Sequence, residues 1–406
     1  MATRALRSWP ARCGVLAVSA AIAAAVIYLP QPMLVELAAS FGISPQAAGV
    51  VATAVQAGYA AGIFLLVPLT ERVQPRRQIT LQALALAAAL LVTAVLPDVV
   101  AVAAGFVVVG LVANIAQLII PTAGKLAPED RRGATTATLV GALLCGIFGG
   151  RVVAGVLVEP LGWRWVLVLF AGLVLATVPL LRTALADDLE LSAAGSSYGA
   201  LLWSALRLVR SSRSLVLAAA TQFFTFATFN SLWTVMPLHL TGEAHQWSPL
   251  AAGLFGLVGL AAGLVTPLGG RLVDRFGARP VVGAAAGLIL AGCVATIFDA
   301  DLLWLFTVSI FIVTWANQTM QAANQNQILV TNPGTAGQAN TMFMVFVFLG
   351  GSFGALAGPI AYGLGGMRGV AVEGTAFVAV SLAIWLVALL ADRRGTTRMP
   401  AVRHSH

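Results

Sequence analysis

The sequence predicts an all-α polytopic membrane protein of twelve transmembrane helices, built as two six-helix bundles. Three observations lead there. Of the 406 residues, 59% are hydrophobic and only 9% are charged, against about a quarter charged in soluble domains. The apolar runs are about 20 residues long, the length an α-helix needs to cross the hydrocarbon core. They lack the period-two alternation of an outer-membrane barrel. Finally, the basic residues cluster in the short gaps between runs.

In chain order the spans are read at 14–38, 46–67, 79–97, 99–120, 134–158, 163–182, 214–240, 248–269, 280–298, 302–323, 338–362 and 371–391, punctuated by Pro, Gly and charge. Arg4, Arg7 and Arg12 before the first run resemble the start of a signal peptide. That run continues to about Leu37 and is followed by further membrane-embedded sequence, so it reads as a retained helix. With the N-terminus placed in the cytoplasm, every Lys and Arg except Arg151, Arg164 and Arg368 falls in a cytoplasmic segment. The positive-inside rule then sets both termini inside and an even number of spans. It also accounts for the net charge of +8 without nucleic acid. Cys13, Cys145 and Cys293 have no metal-ligand spacing and read as small buried hydrophobes.

The longest gap, 183–213, holds Asp187, Asp188, Glu190, a Gly-Ser stretch and arginines. It reads as a cytoplasmic linker between an N-terminal bundle, 1–182, and a C-terminal bundle with a cytoplasmic tail, 214–406. A surface helix is expected near 198–211, with Leu201, Leu202, Ala205, Leu208 and Val209 as its apolar stripe.

The halves repeat one another after the second and eighth spans. The first copy is Val67-Pro68-Leu69-Thr70-Glu71-Arg72-Val73-Gln74-Pro75-Arg76-Arg77. The second is Gly270-Arg271-Leu272-Val273-Asp274-Arg275-Phe276-Gly277-Ala278-Arg279. An acid–Arg pair recurs, and in each half a Pro-Leu pair, Pro68-Leu69 and Pro267-Leu268, shortly precedes it. Such duplication is how many secondary transporters are built, with substrate held between the halves.

The second copy resembles the G-x-x-x-D-R-x-G-R-R loop of the major facilitator superfamily. The first departs from it, with Val67 and Gln74 in place of both glycines and Glu71 in place of Asp. Tyr28-Leu29-Pro30-Gln31-Pro32, Gly149-Gly150-Arg151-Val152-Val153-Ala154-Gly155 and Gly162-Trp163-Arg164-Trp165 resemble bacterial proton-coupled permeases of the drug:proton antiporter-1 and arabinose-efflux-like type. Antiporters of that group carry G-x8-G-P-x2-G-G in the fifth span. Here Arg151 stands where the proline belongs and Ala154 replaces a glycine. The resemblance implies the major facilitator fold, a bacterial inner-membrane location, a monomer, and no cofactor beyond the proton gradient. It also implies that Asp274 helps close the cytoplasmic side against the start of the fifth span, Gly133–Thr135, with Arg131 and Arg132 nearby. Glu71 would do so against Gly337–Thr341. Gly270 and Gly277 would shape the loop, Arg72 and Arg76 repeat it, and Arg275 and Arg279 serve as local anchors.

Polar groups inside a bilayer need a reason. Arg151 in the fifth span reads either as an anion site or as a structural arginine. Candidate cavity residues are Tyr28 and Gln31, Gln56 and Tyr59, Asn114 and Gln117. In the second half they are Gln222, Asn230 and Trp233, then Trp315, Asn317, Gln318 and Gln321. Asn324-Gln325-Asn326-Gln327 reads as a solvated exit, and all fifteen acids read as lying in gaps or near helix ends. Glu36 is the foremost candidate for proton coupling, with His239 second. Enzyme signatures (HExxH, GxSxG, a Walker loop) are missing, so no catalytic or metal residue is assigned. The reading is a secondary transporter exporting a small, fairly apolar molecule by proton exchange. Uptake or facilitated transport of an organic anion or sugar through Arg151 is the alternative, and a receptor or enzyme is disfavoured.

Overall fold

The computed structural model describes residues 8–185, 197–243 and 245–396. Arg4 and Arg7, the linker acids Asp187, Asp188 and Glu190, and Arg398 and Arg403 of the tail lie outside them. Most of the described residues are helical, and no strand occurs among them. Helices α1 (Trp9–Val26) and α2 (Pro30–Phe41) form the first span, α3 (Pro45–Leu66) the second and α4 (Pro75–Ala94) the third. The fourth is α5 (Val99–Val112) with α6 (Ile115–Leu126), and α7 (Arg132–Ala184) holds the fifth and sixth. After the surface helix α8 (Tyr198–Ser211) come α9 (Arg213–Thr241), α10 (Pro249–Leu254) with α11 (Gly256–Phe276), α12 (Ala278–Asp299), α13 (Leu303–Thr331) and α14 (Ala336–Thr396).

Ten helical stretches among the described residues are long and apolar enough to cross a membrane. Two of them make two crossings each, which gives twelve spans. Helix α7 has 53 residues, and at about 1.5 Å per residue would be far longer than the hydrocarbon core is thick. Its hydrogen bonds show that it doubles back. Near its start Thr135 accepts from Trp9 Nε1 at 2.9 Å, and at its end the Ala184 carbonyl accepts from Arg12 Nε at 2.8 Å. Trp163 in its middle donates to Ser40 at the opposite end of the first span, 3.0 Å. The reversal is at Gly162, whose φ of 75° and ψ of 154° are not helical. Helix α14 reverses likewise at Gly365 and Gly366. Gln325 near its start and Arg279 near Trp385 lie on the side of the chain termini, whereas Arg368 pairs with Asp301 across the bundle at 2.8 Å. The side bearing the termini is called the terminal side below, and the other the far side.

Several charged residues have local structural work. Asp98 caps the fourth span by accepting from Ala101 N at 2.9 Å. Arg164 lies over Trp163 at 4.2 Å and bonds the Leu96 carbonyl. Together with the Asp301 pairing of Arg368, this explains two of the three arginines outside the terminal-side gaps. A Ser-Pro N-terminus opens the second span (Ser44, Pro45) and recurs at the eighth (Ser248, Pro249), so the repeat extends to the caps. The surface helix falls where expected, with Ala205 buried and Leu201, Leu202, Leu208 and Val209 half-buried. Tyr198 on it donates to the Leu65 carbonyl of the second span.

The structure corrects two readings. Helix α13 runs on to Thr331 and buries Asn324, while Gln325 and Gln327 are half-buried and Asn326 is exposed, so Asn324 alone departs from the solvated stretch expected there. Cys145 faces outward, while Cys13 and Cys293 are buried.

Candidate functional site

The site is made by a broken helix. Pro30 and Pro32 interrupt the first span, because proline lacks an N–H and clashes with the preceding turn. Residues 27–29 form a turn between α1 and α2. The break sets Tyr28 and Gln31 deep in the bundle, 1% and 2% exposed. Opposite them the fifth span approaches closely. A Cβ on Gly150 would lie 2.5 Å from that of Ala25, and Gly146 packs on the Ala21 carbonyl. The small-residue face expected of this span therefore runs through Gly146 and Gly150, while Gly141 and Gly149 face open space.

That approach carries Arg151 into the centre, 3% exposed. Its Nε donates to Gln31 Oε1 at 2.8 Å and its Nη1 to the Ile147 carbonyl at 3.2 Å. Nη2 is buried without a hydrogen-bond partner. Four rings surround the guanidinium: Tyr28 at 4.2 Å, Trp233 at 5.0 Å, Phe148 at 5.2 Å and Phe229 at 5.8 Å. Aromatic faces attract a cation by up to roughly 2 kcal/mol each when desolvated, but they cannot accept the remaining N–H in its plane. No carboxylate among the described residues pairs with Arg151.

The cage is divided between the halves. Tyr28, Gln31, Phe148 and Arg151 come from the first six spans; Phe229, Asn230, Trp233 and Thr234 come from the seventh. Gln31 Nε2 crosses the seam to Asn230 at 3.3 Å and Thr234 at 3.1 Å. Trp233 is held by its indole N–H on Thr314 at 3.1 Å.

The other expected cavity residues are distributed around this centre. Gln56 is fully buried, and neither of its amide atoms has a hydrogen-bond partner. Tyr59 meets Phe348 of the other half edge-on at 4.3 Å, and Gln117 lies 3.5 Å from its hydroxyl. Asn114 sits where the fourth span breaks and bonds the Leu111 carbonyl, 2.7 Å. Gln222, Asn317 and Asn324 form a buried amide chain between the seventh and tenth spans. Gln321 reaches Met344. Trp315 bonds the Val265 carbonyl and lines an apolar groove outside the bundle, and Gln318 is half-buried. Glu36 is half-buried on the far side, in a crevice with Glu159 and Pro237. His239 is buried there too, 3.0 Å from the Ala300 carbonyl and 3.3 Å from His245.

Contacts between the halves run from the centre to the far side. Gly155 abuts Gly253, Gly49 abuts Pro359, and Ser352 bonds the Thr53 carbonyl. Toward the termini the halves part. Gly133 and Gly337 face open space. Asp274 and Glu71 are exposed and make no ion pair among the described residues. In the loop itself Gly277 has φ 82° and ψ 161°, whereas Gln74 at the matching place has an ordinary φ of −52° ahead of Pro75. The two copies thus turn differently. Arg275 stacks near Phe276, and the Arg279 main-chain carbonyl accepts from Trp385. Arg72, Arg76 and Gly270 complete the two copies at this surface.

Sequence reading missed one acid, Glu373. The twelfth span was read from 371, so Glu373 passed as an end residue; the helix resumes just after Gly366 and carries it inward.

Comparison with known proteins follows the same lines. The family described as Major Facilitator Superfamily matches residues 16–231 and 218–404. The chain is 31% identical over 379 residues to the uncharacterized transporter YgaY of Escherichia coli O157:H7, covering 93% of this chain and 95% of that one. It is 34% identical over 357 residues to SCO4007 of Streptomyces coelicolor, also named a transporter, covering 87% and 82%. Among solved structures it resembles the nucleoside transporter NupG (TM-score 0.73, 11% identity, 92% of this chain and 99% of that one). It also resembles the human organic anion transporter MFSD10 (0.69, 16%, 92% and 98%) and a partially occluded, inward-open form of the Escherichia coli xylose transporter XylE (0.69, 14%, 93% and 98%). At these identities the structures establish the fold.

Proposed function

The chain belongs to the major facilitator superfamily, a family of transporters rather than enzymes, and on that premise we propose that it carries a small amphipathic organic anion. The observation behind this reading is the buried guanidinium whose Nη2 has no hydrogen-bond partner, ringed by aromatic side chains from both halves. A planar carboxylate or a tetrahedral sulfonate would accept from Nη2 of Arg151 in charge-assisted hydrogen bonds. Its apolar body would lie against Tyr28, Phe148, Phe229 and Trp233. This joins both readings of the sequence: a fairly apolar molecule, held through Arg151.

The transport cycle follows from where the cage is divided. Residues 1–182 and 214–406 act as two rocking bodies, joined by 183–213, with both termini in the cytoplasm of a bacterial cell and the site reached alternately from each side. One chain holds every residue of the cage, so the monomer is the working unit. In the proposed cycle the substrate leaves the cell in exchange for protons, the direction suggested by the likeness to drug:proton antiporters. The support for far-side closure here is the packing of Gly155 on Gly253 and Gly49 on Pro359. On opening outward, Asp274 would move toward the start of the fifth span, whose unpaired N–H groups favour a carboxylate.

Ligand-dependent thermal stabilisation of the purified protein tests the substrate class. Naphthalene sulfonate is expected to raise Tm, and its uncharged sulfonamide is not. Equal stabilisation by both would remove Arg151 from the recognition.

A further inference from the structure

A second buried polar centre lies behind the cage, inside the last six spans. Glu373 of the twelfth span points inward and is half-buried. Its Oε1 lies 3.0 Å from Ser231 Oγ on the seventh span. Its Oε2 is buried with no hydrogen-bond partner. Thr228, one turn from Ser231, lies 3.3 Å from the Gly374 carbonyl of the twelfth span and 3.1 Å from the Phe224 carbonyl of its own helix. The ninth span contributes the Cys293 thiol, close beside Gly374. The eleventh contributes the Gly354 carbonyl. No Lys, Arg or His among the described residues pairs with this carboxyl.

Hydrogen counting distinguishes its two protonation states. Ser231 Oγ also lies 2.8 Å from the Gly354 carbonyl, yet a serine hydroxyl has a single proton to donate. If Glu373 were ionised, Ser231 could serve either the carboxylate or the carbonyl. One carboxylate oxygen would remain buried without a hydrogen bond or an ion pair, an arrangement costing several kcal/mol by general experience with buried charges. If Glu373 carries a proton, one directed chain forms: the carboxyl O–H donates to Ser231 Oγ, and Ser231 donates to Gly354. Both contacts are then used at once.

We propose that Glu373 is the proton-binding site of the transport cycle, occupied by a proton in the far-side-closed arrangement described here. This rests on the proton-exchange reading above and gives it a residue. The coupling to substrate is short. Ser231 is the neighbour of Asn230, which Gln31 of the other half holds across the seam. An anion arriving at Arg151 competes for Gln31 and frees Asn230. The seventh span then shifts, taking Ser231 from the carboxyl, and the proton passes to water. Substrate and proton thereby exclude one another, as exchange requires.

Infrared difference spectroscopy of the full chain in lipid vesicles tests the site directly, without any substrate. As pH is raised from acid to alkaline, the wild type is expected to lose the C=O stretch of a protonated carboxylic acid. Glu373→Gln, whose amide N–H can still donate to Ser231, is expected to lack that titrating band. Ser231→Ala is expected to keep the band but shift it to higher frequency, which provides a second readout if Glu373→Gln does not fold. Identical spectra for all three proteins would overturn the proposal. A second arm measures proton release on adding naphthalene sulfonate, which stays anionic throughout the pH range. Release is expected from the wild type and its loss from Glu373→Gln; undiminished release from that variant would also overturn it. If the sulfonate fails to bind while the band behaves as expected, the substrate class is wrong and the proton site stands.

Discussion

Arg151 is 3% exposed, has an unpaired N–H group and no carboxylate partner, and two roles make opposite demands on it. An arginine kept for structure should cost stability when removed, because it would leave Gln31 Oε1 and the surrounding rings without their partner. One kept for a ligand should cost function while relieving a buried charge, since apolar replacement of buried ions is often neutral or stabilising. Arg151→Met is therefore expected to leave the apo Tm unchanged or raised and to abolish stabilisation by naphthalene sulfonate. Arg151→Lys keeps the charge but loses the planar fork and the stacking, so it should weaken sulfonate binding by about tenfold or more, equivalent to about 1.4 kcal/mol. A Tm loss in Arg151→Met with sulfonate binding intact would assign the residue to structure. Arg151 and its partners Tyr28 and Gln31 were visible in the sequence, as a charge and a double proline inside apolar runs. Phe148 and Phe229 were not, because nothing in one dimension separates a cage aromatic from a lipid-facing one.

Among the elements, the broken helices carry the design. The proline break turns Gln31 toward Arg151, and the Gly146–Gly150 face lets the first and fifth spans approach closely enough for the two to meet. Gly150→Leu is expected to abolish folding in the membrane, read as loss of a monodisperse peak in detergent, because its neighbours are the Cβ and backbone of Ala25, neither of which can swing aside. Gly277 is a different case, open in space but held at φ 82°. Gly277→Ala should destabilise by roughly 1–3 kcal/mol, because φ 82° with ψ 161° is a region open almost only to glycine, seen as a lower Tm, whereas Gln74→Ala should be near neutral. The spans themselves were legible from length and apolarity, the surface helix from its stripe, and the loop glycine from its motif. The burial of Asn324 and Glu373 was not. Each depended on where a helix ends or restarts, and a one- or two-turn error in such a boundary exchanges solvent for protein interior.

For the whole molecule, the halves meet from the cage to the far side and part toward the termini, which leaves Asp274 exposed and unpaired. In the proposed outward-open state that acid docks at the start of the fifth span, near Gly133 and Thr135. A carboxylate there is stabilised by up to about 1 kcal/mol when exposed, enough to shift a population severalfold. Asp274→Asn is expected to enrich the far-side-closed form, read as longer spin-label distances across the terminal side; an unchanged distribution would leave Asp274 as a topological charge only. All of these motions serve one claim, that a single central site containing Arg151 is presented alternately to each side. Exchange of radiolabelled naphthalene sulfonate across proteoliposomes, with no ion gradient, measures that claim most directly. Wild type is expected to trade internal for external label and Arg151→Ala, at equal reconstitution, to fall to the rate of empty liposomes. Exchange by Arg151→Ala at the wild-type rate would contradict it.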